Sequence, residues 1–367
     1  MKYITGFREP RAAAAITRRI LELRRKAQDG GPVRVMEVCG SHTMAIGKYG
    51  IRGLVADALD LVSGPGCPVC VTDAGYIDAA LRLAARGAAI YTFGDMLKVP
   101  GSASSLAAER AGGAEINVCY SPREALQAAA DAPGKEIVFL AVGFETTIAP
   151  ILSVLEQAAA LDLKNLSFLT AFKTVVPAMR ALAADPAVRI HGFLCPAHVS
   201  AMIGAAAYEE IAQGFALPCV IAGFEPLDIL LALQGILEQL ARGEARVDNQ
   251  YSRVVTREGN RKAWSLIERY LAPADASWRG IGVIDQSGLG LRREYARWDA
   301  AARHGILVAS GSAAPGCRCG EVLKGMIKPT ECGLFARACT PEQAVGPCMV
   351  SSEGTCSAYY KYGSVQA

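Results

Sequence analysis

Eight short runs rich in β-branched and other apolar residues recur along the first two-thirds of the chain, each about one β-α unit from the next. The first four are "VRVMEV" (33–38), "LDLVS" (59–63), "AAIYTF" (88–93) and "AEINVCY" (114–120). The second four are "EIVFLAV" (136–142), "LSFLTAF" (166–172), "RIHGFL" (189–194) and "PCVIAG" (218–223). Alanine-rich segments such as "DAGYIDAALRLAARGA" and "APILSVLEQAAALD" separate them and have the length of crossover helices. Strand, helix, strand in this rhythm predicts an α/β fold. Its expected form is two similar units, each with a small, mostly parallel four-stranded sheet, facing one another across a cleft.

The openings of the two sets also match. "VCGSHTMA" (38–45) can be laid on "VGFETTIA" (142–149), with Val, Thr and Ala at equal positions. A duplication would give this, and so would the general likeness of β-α loops. Ahead of the first run, Ile16, Ile20 and Leu23 fall on one face of an arginine-flanked amphipathic helix. After about residue 245 the rhythm breaks. "NQYSRVVTREGNRKAWSLIERYL" reads as a linker and a helix, and "WRGIGVIDQSGLGLRREYARWDA" as a short strand, a glycine-rich turn and another helix. The expected division is an N-terminal helix over 1–32, a first α/β domain over 33–133, a second over 134–245, and a cysteine-rich domain over 246–367.

Composition narrows the function. The chain is 51% hydrophobic and 20% charged, enough to bury sizeable cores. Its 38 basic and 35 acidic residues nearly cancel, which gives no electrostatic case for nucleic acid or an anionic membrane. No apolar stretch is long enough to span a bilayer, and the N-terminus has no signal-peptide core, so a cytoplasmic location is expected. Twelve cysteines in such a chain point to metal binding or redox chemistry more than to a disulfide framework.

Six of the twelve lie between Cys317 and Cys356, spaced C-x-C-x12-C-x6-C-x8-C-x7-C. Zinc knuckles use paired C-x2-C elements, and this segment has none. An iron–sulfur cluster tolerates irregular spacing because the cluster itself spans its ligands. Four thiolates would hold a [4Fe–4S] cluster and leave two over as a dithiol or disulfide beside it. A structural zinc site is the alternative.

Cys67 and Cys70 form a C-P-x-C in "SGPGCPVCVTD", at the end of a predicted strand and ahead of a helix capped near Thr72 and Asp73. That placement suits a redox dithiol, with half of a metal site as the alternative. "CGSH" places Cys39 and His42 where both could reach one metal ion, or where His42 could activate Cys39 as a nucleophile. Cys119, Cys195 and Cys219 read as small buried hydrophobes. His198 in "CPAH" and Glu145 and Glu225 in the two "GFE" segments are candidates to line a cleft. The chain has no P-loop, so ATP binding is not indicated, and no C-x-x-x-C-x-x-C of a radical S-adenosylmethionine enzyme.

Together these segments resemble the HypD family of [NiFe]-hydrogenase maturation factors over nearly the whole chain. The carriers are "EVCGSHT", "GPGCPVCVT", "VGFETT", "CPAHVS", "AGFEP" and "CRCGEVLKG…PTEC…CTP…GPCMVSSEGTC". The resemblance implies a redox-active scaffold that works with a HypC-type chaperone and a HypE-type cyanide donor to assemble an Fe(CN)2CO unit, and that is a monomer on its own. It implies two α/β domains around a cleft and a cluster domain. It makes Cys39 the ligand of the iron under assembly, with His42 close by, and Cys67 and Cys70 the redox thiols of the cleft. The tail is similar to ferredoxin–thioredoxin reductase. By that likeness Cys317, Cys332, Cys339 and Cys356 bind the [4Fe–4S] cluster, and Cys319 and Cys348 form the adjacent pair. A ferredoxin-linked disulfide reductase of a protein partner is the competing function.

Overall fold

The computed structural model describes residues 5–26, 31, 33–311 and 314–363. The eight predicted runs all form strands: β1 (Val33–Glu37), β2 (Leu59–Ser63), β3 (Ala89–Thr92), β4 (Ile116–Val118), β5 (Ile137–Gly143), β6 (Leu166–Lys173), β7 (Gly192–Pro196) and β8 (Cys219–Ala222). Three more follow: β9 (Val247–Asn249), β10 (Leu271–Trp278) and β11 (Gly282–Leu291). The fold is α/β with two parallel-rich sheets. No helix among the described residues is long and apolar enough to cross a membrane.

The sheets do not divide the chain in sequence order. One runs β2-β1-β7-β8-β9 and is parallel throughout. The other runs β10-β11-β6-β5-β3-β4, with β3 to β6 parallel and the β10–β11 hairpin antiparallel on its edge. Each sheet therefore takes two strands from each set of four, which corrects the expectation that residues 33–133 hold one sheet and 134–245 the other. The region after 245 is corrected too. It contributes β9 to the first sheet and β10 and β11 to the second, and the expected short strand is a ten-residue one.

The exchange follows a rule. Advancing each strand number by four, and taking β1 to follow β8, turns the order β2-β1-β7-β8 into β6-β5-β3-β4, which is the order of the second sheet. The first strands, β1 and β5, are the pair whose ends share "V…T.A". The sheet order thus treats the two halves as equivalents that have traded their last two strands.

The helices form where the alanine-rich segments predict them. In chain order, those that matter to the site are α1 (Pro10–Lys26), α2 (Gly40–Lys48), α3 (Pro68–Val71), α4 (Ala74–Ala85), α5 (Glu145–Ala160), α6 (Val175–Ala184), α7 (Ala197–Ile203), α8 (Pro226–Ala241), α9 (Arg261–Tyr270), α10 (Cys319–Leu323), α11 (Pro347–Val350) and α12 (Thr355–Tyr362). The arginine-flanked stripe of α1 is borne out: Ile20 and Leu23 are buried against the first sheet's core, with Ile16 partly so. Asp73 caps α4 by accepting from the Gly75 amide at 2.9 Å. Pro68 sits in the first turn of α3, where its missing N–H costs nothing.

Both sheets are covered on both faces, as parallel sheets must be, and all seven residues of β5 are buried. A separate buried cluster joins the two sheets. It contains Met36, Val38, Cys67, Cys70, Phe144, Trp278, Cys319 and Cys348, so the cysteine-rich tail shares a core with the strand ends of both sheets.

Candidate thiol-lined redox site

The carboxyl ends of the first sheet's strands carry "CGSH" after β1, "GPGCPVC" after β2, "CPAH" at β7 and "GFEP" after β8. Those of the second carry "FGD" after β3, "FETT" after β5 and "TVVP" after β6. Ligand sites collect at such ends. The tail segment after α11 bridges them: Ser351 Oγ donates to Asp95 Oδ2 (2.9 Å) on the second sheet's side, while Glu353 accepts from Ser41 Oγ (2.6 Å) on the first.

Cys39 precedes α2 in extended conformation. Its loop and that of Cys67 interlock. The Gly40 amide donates to Gly66 O (3.2 Å), and a Cβ on Gly66 would lie 2.2 Å from the Cys39 nitrogen. Gly40 in turn meets Glu353, where a Cβ would come within 2.6 Å of that residue. The approach of three backbones therefore requires glycine at 40 and 66. Burial pushes the Cys39 thiol up to about 12, against the amides of His42 and Ser41, which favour the thiolate. Desolvation outweighs the helix N-terminus here, so the free residue is a protonated thiol that must lose its proton to bind a metal.

His42 is fully buried. Its Nε2 lies 3.0 Å from Gly223 O and 3.2 Å from Ala222 O, so Nε2–H donates and Nδ1 carries the lone pair. Nδ1 has no partner among the described residues, and burial lowers the imidazole to about 4, so the ring is neutral. The ring packs tilted against Phe224, with centroids 4.8 Å apart, and the Phe224 ring lies 4.5 Å from that of exposed His198. His42 thus ties α2 to the end of β8.

The Cys70 amide donates to Cys67 Sγ (3.3 Å). The Cys70 thiol lies within hydrogen-bonding reach of both Cys67 and Cys348, and its Sγ is 3.9 Å from Pro347 O. Burial, followed by these neighbouring thiols, pushes it well up. The C-P-x-C loop and the tail cysteines are therefore in contact.

The six tail cysteines line one cavity, with Val322, Leu334, Phe335, Gly346 and Met349 completing its wall. Cys319, Cys339 and Cys348 are buried, and Cys317, Cys332 and Cys356 are half-buried. The Cys317 thiol is lowered to about 6, mainly by the neighbouring Cys319 side chain. Among the described residues, no three His, Cys, Asp or Glu side chains meet closely enough to hold a single metal ion. All twelve cysteines are free thiols.

A buried cation faces this cavity's edge. Arg279, at the tip of the β10–β11 hairpin, is 3% exposed. Nη1 donates to Pro100 O (2.9 Å), Nε is buried without a partner among the described residues, and its charge acts on Cys317 and Cys319. The hairpin reaches in because Gly280 and Gly320 pack backbone to backbone, where a Cβ on Gly320 would lie 2.1 Å from Gly280 O. A buried guanidinium needs negative charge nearby. The donor set and this cation together fit an anionic thiolate-bound cluster.

Sequence reasoning missed Glu37, Arg279 and Glu353. Glu37 is 1% exposed beneath Cys39 and accepts from Thr43 Oγ1 (2.6 Å) and Ser63 Oγ (2.5 Å). Its signal was an acid inside the apolar run "VRVMEV". The other cleft candidates separate. Glu145 Oε1 accepts from the Val175 amide (2.9 Å), with Oε2 unpartnered and buried, whereas Glu225 pairs with Arg8 near the surface. Cys195 and Cys219 are wholly buried, with the Cys219 thiol donating to Leu217 O (3.6 Å), and Cys119 is buried as well.

Two interwoven α/β sheets with a thiol-lined junction define the class of protein. The family model described as "Hydrogenase formation hypA family", HypD, matches residues 13–363. The chain is 42% identical to the hydrogenase maturation factor HypD of Rhodobacter capsulatus over 378 residues, covering 100% of both chains. It is 44% identical to the hydrogenase expression/formation protein HupD of Azotobacter chroococcum (99% of this chain, 97% of the relative). With HypD of Escherichia coli K12 it shares 41% (99% and 98%). The chain belongs to the HypD family.

Proposed function

We propose that this protein is a hydrogenase maturation factor of the cytoplasm, a redox-active scaffold on which the Fe(CN)2CO unit of a [NiFe]-hydrogenase is assembled. The observation that carries the reading is the unbroken run of thiols from the strand ends to the tail. Cys39 and Cys67 lie on interlocked loops, Cys70 touches Cys67 and Cys348, and Cys348 lines the six-cysteine cavity.

In this reading Cys39 binds the cargo iron as a thiolate, a soft ligand suited to low-spin Fe(II) carrying cyanide and CO. The remaining positions accept the diatomic ligands and a thiolate of a HypC-type chaperone, with a HypE-type protein as cyanide donor. His42, neutral and tied to β8, positions the Cys39 helix rather than ligating. Cys67 and Cys70 store two electrons, releasing them with two protons on forming a disulfide. Cys319 and Cys348, the two tail thiols that share the junction core with Cys67 and Cys70, form the pair that reduces that disulfide by thiol–disulfide exchange. Cys317, Cys332, Cys339 and Cys356 hold a [4Fe–4S] cluster, which when bound supplies single electrons. The wide spread of the six thiols around one cavity supports a cluster over a single zinc ion.

The test is infrared spectroscopy of anaerobically purified complex in the cyanide and CO stretching region, with iron and sulfide analysis. Cys39→Ala is expected to abolish the bands while keeping cluster iron and sulfide, and Cys332→Ala to lose the cluster. His42→Ala should weaken assembly without removing all iron. Full bands in Cys39→Ala, or stoichiometric zinc in place of iron, would overturn the reading.

A further inference from the structure

Away from the thiols, a cavity of about 310 Å³ opens where the starts of α5 and α6 meet α9 and the β10–β11 hairpin. Three charged side chains line it: Glu145, Arg180 and Glu210. Arg180 Nη2 donates to Glu210 Oε1 (2.7 Å), and both of these side chains are about half exposed, so they neutralise one another at the rim. The wall is left with one uncompensated charge, that of Glu145 when ionised.

Glu145 opens α5 and is 2% exposed. Its Oε1 is taken by the Val175 amide, and its Oε2 has no partner among the described residues. No basic side chain answers it. Burial acts on its charge, opposed by its own amide and that of Val175. A buried carboxylate with a free oxygen calls for a donor that brings positive charge. The rest of the wall is mainly apolar, with Pro177, Ile203, Trp264 and Leu289 around the space. The indole of Trp264 adds a face that attracts cations.

We propose that this cavity binds a small aromatic amine as its ammonium ion, which donates to Glu145 while its ring lies against the apolar wall. The lone negative charge repels an anion, and a neutral donor would leave it uncompensated. A cavity of this size takes a body larger than an alkyl stem, which favours a free arylalkyl amine over a lysine offered by a partner protein. No cysteine lines the site, so it does not depend on the reading above.

Calorimetric titration of the full-length protein with 2-phenylethylammonium tests it, at about pH 8, where Glu145 is ionised. Three controls accompany it. 2-Phenylethanol keeps the body and lacks the charge, 3-phenylpropanoate reverses the charge, and butylammonium mimics a lysine stem. 2-Phenylethylammonium is expected to bind saturably, and each control at least about tenfold more weakly. Glu145→Gln should weaken binding roughly ten- to hundredfold, the worth of one charge-assisted hydrogen bond. Ala207→Leu, which fills the cavity and leaves the carboxylate in place, should weaken it by a similar factor. The ligand comparisons use the wild-type protein and stand even if a variant misfolds. Absence of saturable binding overturns the proposal. So do equal binding by 2-phenylethanol or 3-phenylpropanoate, tighter binding by butylammonium, or undiminished binding in either folded variant.

Discussion

The thiol of Cys70, in the C-P-x-C loop that follows β2, lies within hydrogen-bonding reach of Cys348, 278 positions further along the chain in α11. Both are buried, Cys70 wholly and Cys348 to 1% exposure, in one core with Cys67 and Cys319. Two thiols this close exchange disulfides without a diffusing carrier. Mild oxidation followed by peptide mapping should find Cys67–Cys70 and Cys70–Cys348 linked peptides. In Cys348→Ala, reduction of the Cys67–Cys70 disulfide by a large protein reductant should slow roughly tenfold or more, because the buried pair loses its internal exchange partner. Equal rates in the variant would show that Cys70 is reduced directly from solvent.

Gly66→Ala should damage the site more than its size suggests. The new Cβ would lie 2.2 Å from the Cys39 nitrogen and 2.4 Å from its Cα, so backbone must move. Overpacking of this kind costs about 1–3 kcal/mol or more. Thermal melting should show that loss, and alkylation of Cys39 in the native variant should quicken as the two loops part.

Glu145 makes a pH prediction. Burial raises its carboxyl from 4.5 to about 7, against hydrogen bonds from its own amide and that of Val175. The folded state therefore holds the proton more tightly than the unfolded one. Its contribution is favourable below 4.5 and is lost as pH rises to 7, a cost on the order of 3 kcal/mol above that. Glu145→Gln keeps an acceptor for Val175 and removes the titration. Denaturant melts should show the variant more stable than wild type at pH 8, with the gap closing towards pH 4.5.

Arg279→Gln should act oppositely on the metal-free and the reconstituted protein. Without a cluster, removing a buried guanidinium with an unpartnered Nε relieves a desolvation cost, so stability should hold or rise by up to about 1 kcal/mol. With a cluster reconstituted, loss of the neighbouring positive charge should make the midpoint potential more negative in a redox titration. An unchanged potential would place Arg279 outside the cluster's field.

The strands were legible in the sequence because a buried parallel strand is a short apolar run, and all eight such runs formed one. The convergence of the tail cysteines could be read as well, since six thiols in forty residues need a common purpose. Strand partnership could not be read. The apolar runs of β2 and β6 do not say whether the following strand pairs beside them or crosses to the other sheet. Nor could β10 be read: "LAPADASW" is buried only at its two ends, contains a proline and an aspartate, and takes its pairing from β11. Arg279 and Glu353 act across more than 30 and 300 positions respectively, on Cys317 and on Ser41, and no local pattern carries such a contact.

The trade of strands between the halves has a consequence for how the molecule comes into being. With β1 and β2 waiting for β7 and β8, the first sheet stays incomplete until residues beyond 222 have left the ribosome, while β3 to β6 can assemble in between. A chain cut near residue 134 yields two fragments, the first with two strands of each sheet and the second with the remaining three and four, so neither holds a whole sheet. Separately expressed, they should be insoluble or disordered; mixed, they should find one another and fold as a single noncovalent knot of strands.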